Sequence, residues 1–177
     1  MRFITMLAAT LAMAACGQPA ATDAQAQSGA AAPAAASELA GADRAAFLRA
    51  INATLDAQGM LENECGEKVT PRILPVDLGG AVGVAQIFVM DGGPNTISCY
   101  GDGSNLQVFK HEGAAWREIY SARGRMIIVL TTSHNGVRDI ADGGPGNSFP
   151  VWQWDGTTYE VAGRNVPDSV DAVAYLP

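Results

Sequence analysis

One pattern occurs twice in the sequence, as Leu106-Gln-Val-Phe-Lys-His-Glu-Gly-Ala-Ala-Trp116 and as Phe149-Pro-Val-Trp-Gln-Trp-Asp-Gly-Thr-Thr-Tyr159. Each copy has a β-forming run, an acidic residue followed by glycine, and an aromatic residue three positions after that glycine. Acidic-Gly pairs favour tight turns because glycine readily adopts a positive φ, so each copy predicts a β-hairpin. An identical Asp-Gly-Gly-Pro tetrapeptide, starting at Asp91 and at Asp142, precedes each copy. The repeat predicts two similar blade-like units of about four strands, packed as a sandwich or an open barrel.

The chain after Gly66 consists of short β-forming runs separated by Gly, Asn, Asp and Pro, which is typical of antiparallel sheets. The Asn135-Gly136 pair predicts a tight hairpin turn before Val137. The predicted fold class is therefore mainly β with one N-terminal helix, built from compact antiparallel sheets. The predicted strands are residues 72–76, 84–90, 96–100, 106–111, 116–121, 125–131, 137–140, 151–154 and 158–161.

The helix is predicted from a segment whose apolar residues recur three and four positions apart, as an amphipathic helix of about 15–20 residues does. We expect it to cover one face of a sheet. Ser37 and the run from Gly41 to Asp43 are the candidate starts, and Gly59 is the candidate end. With the strands that follow, residues 38–177 are predicted to form a single domain. The apolar stripe consists of Leu39, Ala46, Phe47, Ala50, Ile51 and Leu55.

The first 16 residues, MRFITMLAATLAMAAC, have the pattern of an export signal. Arg2 precedes an uncharged apolar run that is shorter than the about 20 residues of a membrane span, as in a secretory signal peptide. Ala14 and Ala15 lead into Cys16, and this arrangement resembles the lipobox of bacterial lipoproteins, whose cysteine is lipidated. Met13 stands where that pattern most often has Leu. Cleavage near Met13, which would leave a soluble periplasmic or secreted protein, is the alternative.

Residues 17–37 contain one charge and no bulky apolar side chain, which predicts a disordered tether rich in Ala, Pro and Gln. The lipid on Cys16 would attach this tether to the membrane. The predicted location is outside the cytoplasm, lipid-anchored in the cell envelope and facing the periplasm. An even pair of cysteines in an oxidising compartment usually forms a disulfide, so we predict a Cys65–Cys99 bond. Two separate buried thiols are the alternative.

The later part of the chain contains a set of motifs: Cys99-Tyr100-Gly101, Gly143-Gly-Pro-Gly146, Phe149-Pro-Val-Trp152, Trp154-Asp-Gly156 and Tyr159. By these motifs it resembles a family of proteobacterial exported proteins that is distantly similar to FG-GAP and VCBS β-repeats. The resemblance implies an exported β fold and no established activity. FG-GAP repeats hold calcium between closely spaced oxygens, but only Asp77 remains of those positions in residues 77–85, so we expect no calcium there. Relatives often have a cysteine where this chain has Ser148.

The sequence predicts no catalytic residues, no metal site and no cofactor. The most hydrolase-like group is Ser133, His134 and Asp139, but the chain has no Gly-x-Ser-x-Gly elbow. Ser133 and His134 are adjacent and would point to opposite faces of a strand, so we interpret them as the entry to a turn. The histidines and cysteines also lack the close spacing of metal ligands.

Three aromatic residues form the candidate binding surface. Trp152 and Trp154 lie on one face of a strand by alternation, Tyr159 follows, and aromatic residues are enriched at interfaces. The alternative is a core stripe beneath the helix. The net charge of −7 argues against a nucleic-acid partner and favours basic partners.

We therefore expect a non-enzymatic binding or structural module of the envelope, whose partner is a protein or a glycan. The first alternative is an inhibitor of a cell-wall hydrolase such as lysozyme. The second alternative is a hydrolase that uses His134.

Overall fold

The computed structural model describes residues 37–93, 99–101 and 103–176. The predicted signal peptide, the predicted lipidation site Cys16 and the predicted tether, apart from Ser37, lie outside these residues. The described part consists of helix α1 (Gly41–Ala50) and strands β1 (Leu61–Glu62), β2 (Lys68–Val69), β3 (Arg72–Asp77), β4 (Val84–Asp91), β5 (Ser104–Glu112), β6 (Ala115–Gly124), β7 (Met126–His134), β8 (Val137–Gly143), β9 (Ser148–Trp154), β10 (Tyr159–Pro167) and β11 (Ala172–Leu176).

The strands form three antiparallel sheets. The first large sheet has the order β3-β4-β5-β6, the second has the order β10-β9-β8-β7-β11, and β1 pairs only with β2. The two large sheets pack face to face, and apolar residues from both fill the space between them. The predicted class, mainly β with one helix, is confirmed for the described residues. Of the two predicted arrangements the sandwich is the one present, because two open sheets pack face to face and neither closes into a barrel.

Helix α1 covers the outer face of the first sheet, as predicted. Phe47 and Leu48 are buried against Phe88 and Phe109, and the Phe47 and Phe109 rings meet edge to face with centroids 5.6 Å apart. This burial removes the apolar back of the sheet from water, which supplies most of the stability of such a short helix.

The helix begins at Gly41, in the second of the two candidate starts, although its N-cap residue is Ala40, which makes no side-chain cap. The other candidate start, Ser37, and the predicted end at Gly59 are wrong. The helix ends at Ala50, and Asn52, just beyond it, is left-handed with φ of 59°. The Asn52 amide donates to the Arg49 carbonyl, and the Ala53 amide donates to the Leu48 carbonyl, at 3.1 and 2.9 Å. These two bonds form a Schellman motif, which satisfies carbonyls that the helix leaves open. Leu55 therefore packs on the sheet from the segment after the helix.

Eight of the nine predicted strands are confirmed. The exception is 96–100, because Cys99 and Tyr100 lie outside any strand and residues 96–98 lie outside the described part of the chain. The short strands β1, β2 and β11 were not predicted. The predicted turn is confirmed: Asn135 and Gly136 have φ of 51° and 78° and join β7 to β8 as a two-residue loop of the kind that Asn-Gly favours.

The sequence repeat corresponds to a structural repeat. Its two copies are the hairpins β5–β6 and β9–β10, the third and fourth strands of each meander. The identical tetrapeptides do not occupy equivalent positions in the two hairpins. Val108 and Val151 are equivalent in the repeat, and their partners on the preceding strands are Ile87 and Ala141, which are 54 residues apart in sequence. The tetrapeptides are only 51 residues apart.

The outer face of the second sheet is covered by the chain itself. Ile128, Phe149 and Val151 are buried on this face. Val170, from the connection between β10 and β11, and Ala172, the first residue of β11, pack against them. Within the described residues, the structure contains no helix of sufficient length and apolarity to cross a membrane.

Candidate functional site: a charged cleft beside the disulfide

An open cleft of about 550 Å³ lies between the β1–β2 hairpin and the adjacent ends of β4 and β5. One wall is the stretch from Lys68 to Thr70, at the end of the hairpin. The opposite wall contains Asp91, the last residue of β4, and Ser104, the first residue of β5, which are partners across the two strands. The full lining is Lys68, Val69, Thr70, Asp91, Gly93, Gly103, Ser104 and Arg125.

The cleft carries charges of both signs. The Ser104 hydroxyl donates to Asp91 Oδ1 at 2.6 Å, and Arg72 Nη2 lies 3.8 Å from the same oxygen. On the other wall, Lys68 Nζ donates to Asp56 Oδ2 at 2.7 Å. This hydrogen bond is the main reason that the pKa of Asp56 is lowered and the pKa of Lys68 is raised. Half of each of the Asp91 and Lys68 side chains remains exposed, so both face solvent in the cleft.

The predicted disulfide is present and joins the segments that form the two walls. Cys65 lies in the turn between β1 and β2, and Cys99 lies in the connection between β4 and β5, with a Cα–Cα distance of 5.8 Å. Asn63 supports the turn: its Oδ1 accepts hydrogen bonds from the amides of Cys65 and Glu67. Its Nδ2 also donates to the Asp91 carbonyl at 3.2 Å.

A second cluster of polar side chains is buried between the two large sheets. Three buried side-chain atoms there have no hydrogen-bond partner: the Tyr120 hydroxyl, Asp142 Oδ1 and Trp152 Nε1. The Tyr120 and Trp152 rings meet edge to face with centroids 5.2 Å apart, and a side chain on Gly124 would clash with Asp142 Oδ1. Burial raises the pKa of Asp142 to about 6. Burial, and then the Asp142 charge, raise the pKa of Tyr120.

The candidate aromatic surface is wrong for two of its three residues. Trp154 is 1% exposed and Tyr159 is 5% exposed, in the core between the sheets, and the partly buried Trp152 packs against the same core. The Tyr159 hydroxyl donates to the Arg138 carbonyl at 2.7 Å. These residues form a core stripe, but it lies between the sheets rather than beneath the helix. Alternation shows that Trp152 and Trp154 share a face, yet it does not show what that face meets.

The structure does not assemble a hydrolase triad from Ser133, His134 and Asp139. Ser133 and His134 are exposed in β7, whereas Asp139 is 1% exposed and its Oδ2 accepts hydrogen bonds from three other side chains. Those donors are Thr132 at 2.6 Å, Arg164 at 2.8 Å and Gln153 at 3.5 Å. Asp139 therefore does not orient His134. In the part of the chain that is described, no three His, Cys, Asp or Glu side chains are grouped as metal ligands.

Asp77, at the position that the resemblance relates to a calcium loop, accepts a hydrogen bond from the Gly79 amide at 2.9 Å. This bond closes a tight turn after β3. The carboxylate thus has a structural role in the turn, and the expectation that no calcium binds there stays a prediction.

Sequence reasoning did not identify the cleft. Its residues come from four separate segments, and the sequence indicated Asp91 only as the first residue of a repeated tetrapeptide. That tetrapeptide was the available signal, because an acidic residue followed by Gly-Gly-Pro ends a strand and leaves its side chain at the sheet end. The pairing of Asp91 with Ser104, which places both in one wall, depends on strand register.

Comparisons with protein-family models, with curated proteins and with solved structures give no match to this chain. The resemblance to exported β-repeat proteins therefore stays a prediction.

Proposed function

We propose that the protein is an exported, lipid-anchored module of the bacterial envelope that binds a polar ligand without transforming it. The observation that carries the proposal is the cleft, which presents Lys68 and Asp91 on opposite walls, each with a hydroxyl residue, Thr70 or Ser104, in the same wall. Such an arrangement complements a ligand that has both a carboxylate and an amine or hydroxyl groups. Peptide-bearing glycan fragments of the cell wall have this chemistry.

The charges of the cleft can engage a ligand at small cost. The Lys68 side chain is 58% exposed, and an exposed ion pair such as Lys68–Asp56 contributes only about 0–1 kcal/mol. A ligand carboxylate can therefore share or replace Asp56 at Lys68. Asp91 is already oriented by Ser104, so an incoming donor meets a carboxylate that is fixed in position.

Binding is tested by titrating the ¹⁵N-labelled protein with a soluble disaccharide–tetrapeptide from peptidoglycan and following amide shifts by NMR. We expect shifts confined to the Lys68–Thr70 wall, Asp91 and Ser104. Lys68→Ala and Asp91→Asn should each weaken binding about tenfold, which corresponds to one charge-assisted hydrogen bond. Arg49→Ala is the matched control, because Arg49 is an exposed cation outside the cleft. Shifts spread over the whole surface, or equal losses in the control, would argue against the site.

Export and lipidation are tested separately. Mass spectrometry of the membrane fraction should show a mature chain that starts at a lipidated Cys16, and Cys16→Ser should leave the protein unlipidated. A full-length chain with its leader uncut and found in the cell interior would contradict this part of the proposal.

A second candidate function, inhibition of a cell-wall hydrolase, is favoured by the net charge of −7. An acidic protein is steered toward basic enzymes such as lysozyme, and this attraction weakens with salt. We expect inhibition of lysozyme at low ionic strength that declines as salt is added. A complete lack of inhibition at low salt would eliminate this candidate.

A further inference from the structure

The β1–β2 hairpin is a separate small element that depends on few contacts. Each of its strands has two residues, and it is not part of either large sheet. A two-stranded hairpin is marginally stable on its own in water. Its position therefore depends on what ties it to the rest of the protein.

The polar ties between the hairpin and the large sheets are few or exposed. The Glu64–Arg123 ion pair spans 2.8 Å, with both side chains about half exposed, so it contributes little. Asn63 donates one hydrogen bond to the Asp91 carbonyl. Two apolar side chains also hold the hairpin: Val69 is buried and lies close to Gly93, and Leu61 packs at the edge of the apolar cluster beneath helix α1. The covalent tie is the Cys65–Cys99 bond.

This disulfide is accessible and lies outside the three apolar cores. Cys65 is exposed and Cys99 is partly exposed, and neither residue belongs to a core cluster. Exposed disulfides are the ones that thiolates reach and exchange with. The bond also joins the two segments that form the opposite walls of the cleft, so breaking it frees the Lys68–Thr70 wall.

We propose that the Cys65–Cys99 disulfide is a redox-controlled clamp on the cleft, opened by a dithiol reductant. A thiolate of the dithiol attacks the sulfur of the more exposed Cys65, the S–S bond breaks, and Cys99 leaves as a thiolate that takes up a proton. The second thiol of the dithiol then attacks the mixed disulfide, which releases Cys65 as a thiol. Two electrons pass to the protein, and the dithiol becomes a cyclic or intramolecular disulfide.

Reduction releases the hairpin and leaves the sandwich folded. The core between the sheets and the core on the outer face of the second sheet contain no residue of the hairpin and keep their packing. The core beneath helix α1 loses only the contact of Leu61 at its edge. The effect of reduction on ligand binding rests on the proposed function of the cleft, whereas the release of the hairpin does not.

Hydrogen exchange followed by mass spectrometry tests the clamp on the full-length chain. The oxidised protein is compared with protein reduced by dithiothreitol without denaturant and trapped by alkylation, and with the Cys65→Ser/Cys99→Ser variant. Short labelling times are used, before the amides of β5, β8 and β9 exchange in the oxidised protein. We expect residues 61–70 to exchange at least about tenfold faster in both open forms, while β5, β8 and β9 stay protected.

Three outcomes would overturn the clamp: unchanged exchange in residues 61–70, simultaneous loss of protection in β5, β8 and β9, or a bond that dithiothreitol cannot reduce without denaturant. Dithiothreitol should cause no further change in the double-serine variant, which controls for effects of the reagent. Titration with the disaccharide–tetrapeptide separates the two proposals. If the hairpin exchanges faster after reduction but the oxidised protein does not bind the disaccharide–tetrapeptide, the proposed ligand is refuted and the release of the hairpin is still supported. If both redox states bind the ligand equally, the disulfide does not control binding.

Discussion

The buried carboxylate of Asp142 makes the stability of the protein depend on pH in a predictable direction. Burial raises its pKa from 3.8 to about 6, because the charged form loses water and its Oδ1 gains no hydrogen bond. At about 1.36 kcal/mol per pH unit, this difference corresponds to about 3 kcal/mol. Asp142 keeps some exposure, so we expect about 2–3 kcal/mol.

The sign of the effect comes from which state holds the proton. Below about pH 4 the Asp142 carboxyl is protonated in both states, and no penalty exists. Between about pH 4 and pH 6 the unfolded chain releases the proton while the folded protein retains it, so this group's contribution to the free energy of unfolding falls as pH rises. Above about pH 6 both states are charged and the penalty is constant.

Asp142→Asn removes the charge and nearly preserves the shape, so it isolates this contribution. Urea unfolding followed by tryptophan fluorescence, at intervals from pH 4 to pH 8, should show equal stability of the two proteins near pH 4. The variant should become about 2–3 kcal/mol more stable than the parent at pH 7. The difference between the two curves cancels all other titrating groups.

Asp91→Asn is the matched control, since Asp91 begins the other copy of the same tetrapeptide. Its carboxylate receives the Ser104 hydrogen bond and lies near Arg72, so this variant should be slightly less stable than the parent at pH 7. A flat difference curve for Asp142→Asn between pH 4 and pH 8, or a variant that is less stable at pH 7, would refute the reasoning.

Three further variants test separate parts of the structure by the same urea assay. Cys65→Ser/Cys99→Ser opens a loop of 34 residues and should lower the free energy of unfolding by about 3–4 kcal/mol; an unchanged value would mean that the bond adds no constraint. Trp154→Ala should cost about 3–5 kcal/mol, because it empties the space of a fully buried ring. A loss under 1 kcal/mol would contradict that burial. Arg164→Ala removes the cationic partner of the buried Asp139 carboxylate, which keeps its hydrogen bonds from Thr132 and Gln153, and should cost about 1–3 kcal/mol. Adding Asp139→Asn should recover part of this loss.

Local patterns in the sequence predict most of the strands, because residues that alternate between two faces and end at glycine or proline need no knowledge of distant contacts. The Asn135-Gly136 turn is the clearest case, since both residues must adopt positive φ. The disulfide was predicted from the pairing of two cysteines in an exported chain. The structure agrees with the pairing and leaves the export itself a prediction.

The errors arise where tertiary contacts decide the outcome. The helical spacing continues to Leu55, but the helix ends at Ala50, and Leu55 reaches the same apolar cluster from the irregular segment that follows. Periodicity shows which side chains meet the core, and it does not distinguish a helix from an irregular segment whose side chains make the same contacts. The cleft was missed for a related reason: Lys68 and Asp91 lie far apart in sequence, and only strand register and the disulfide bring their segments together.

The repeated hairpin explains why the sandwich needs a cover on both outer faces. Leu106 and Val108 in the first copy face the space between the sheets, whereas their counterparts Phe149 and Val151 face away from it. The two units are therefore stacked front to back, and such stacking leaves one apolar face open at each end, as in other repeat proteins. Helix α1 covers the open back of the first unit, and the connection from β10 to β11 covers the open front of the second. The non-repeated ends of the domain thus stop a stacking pattern that would otherwise continue.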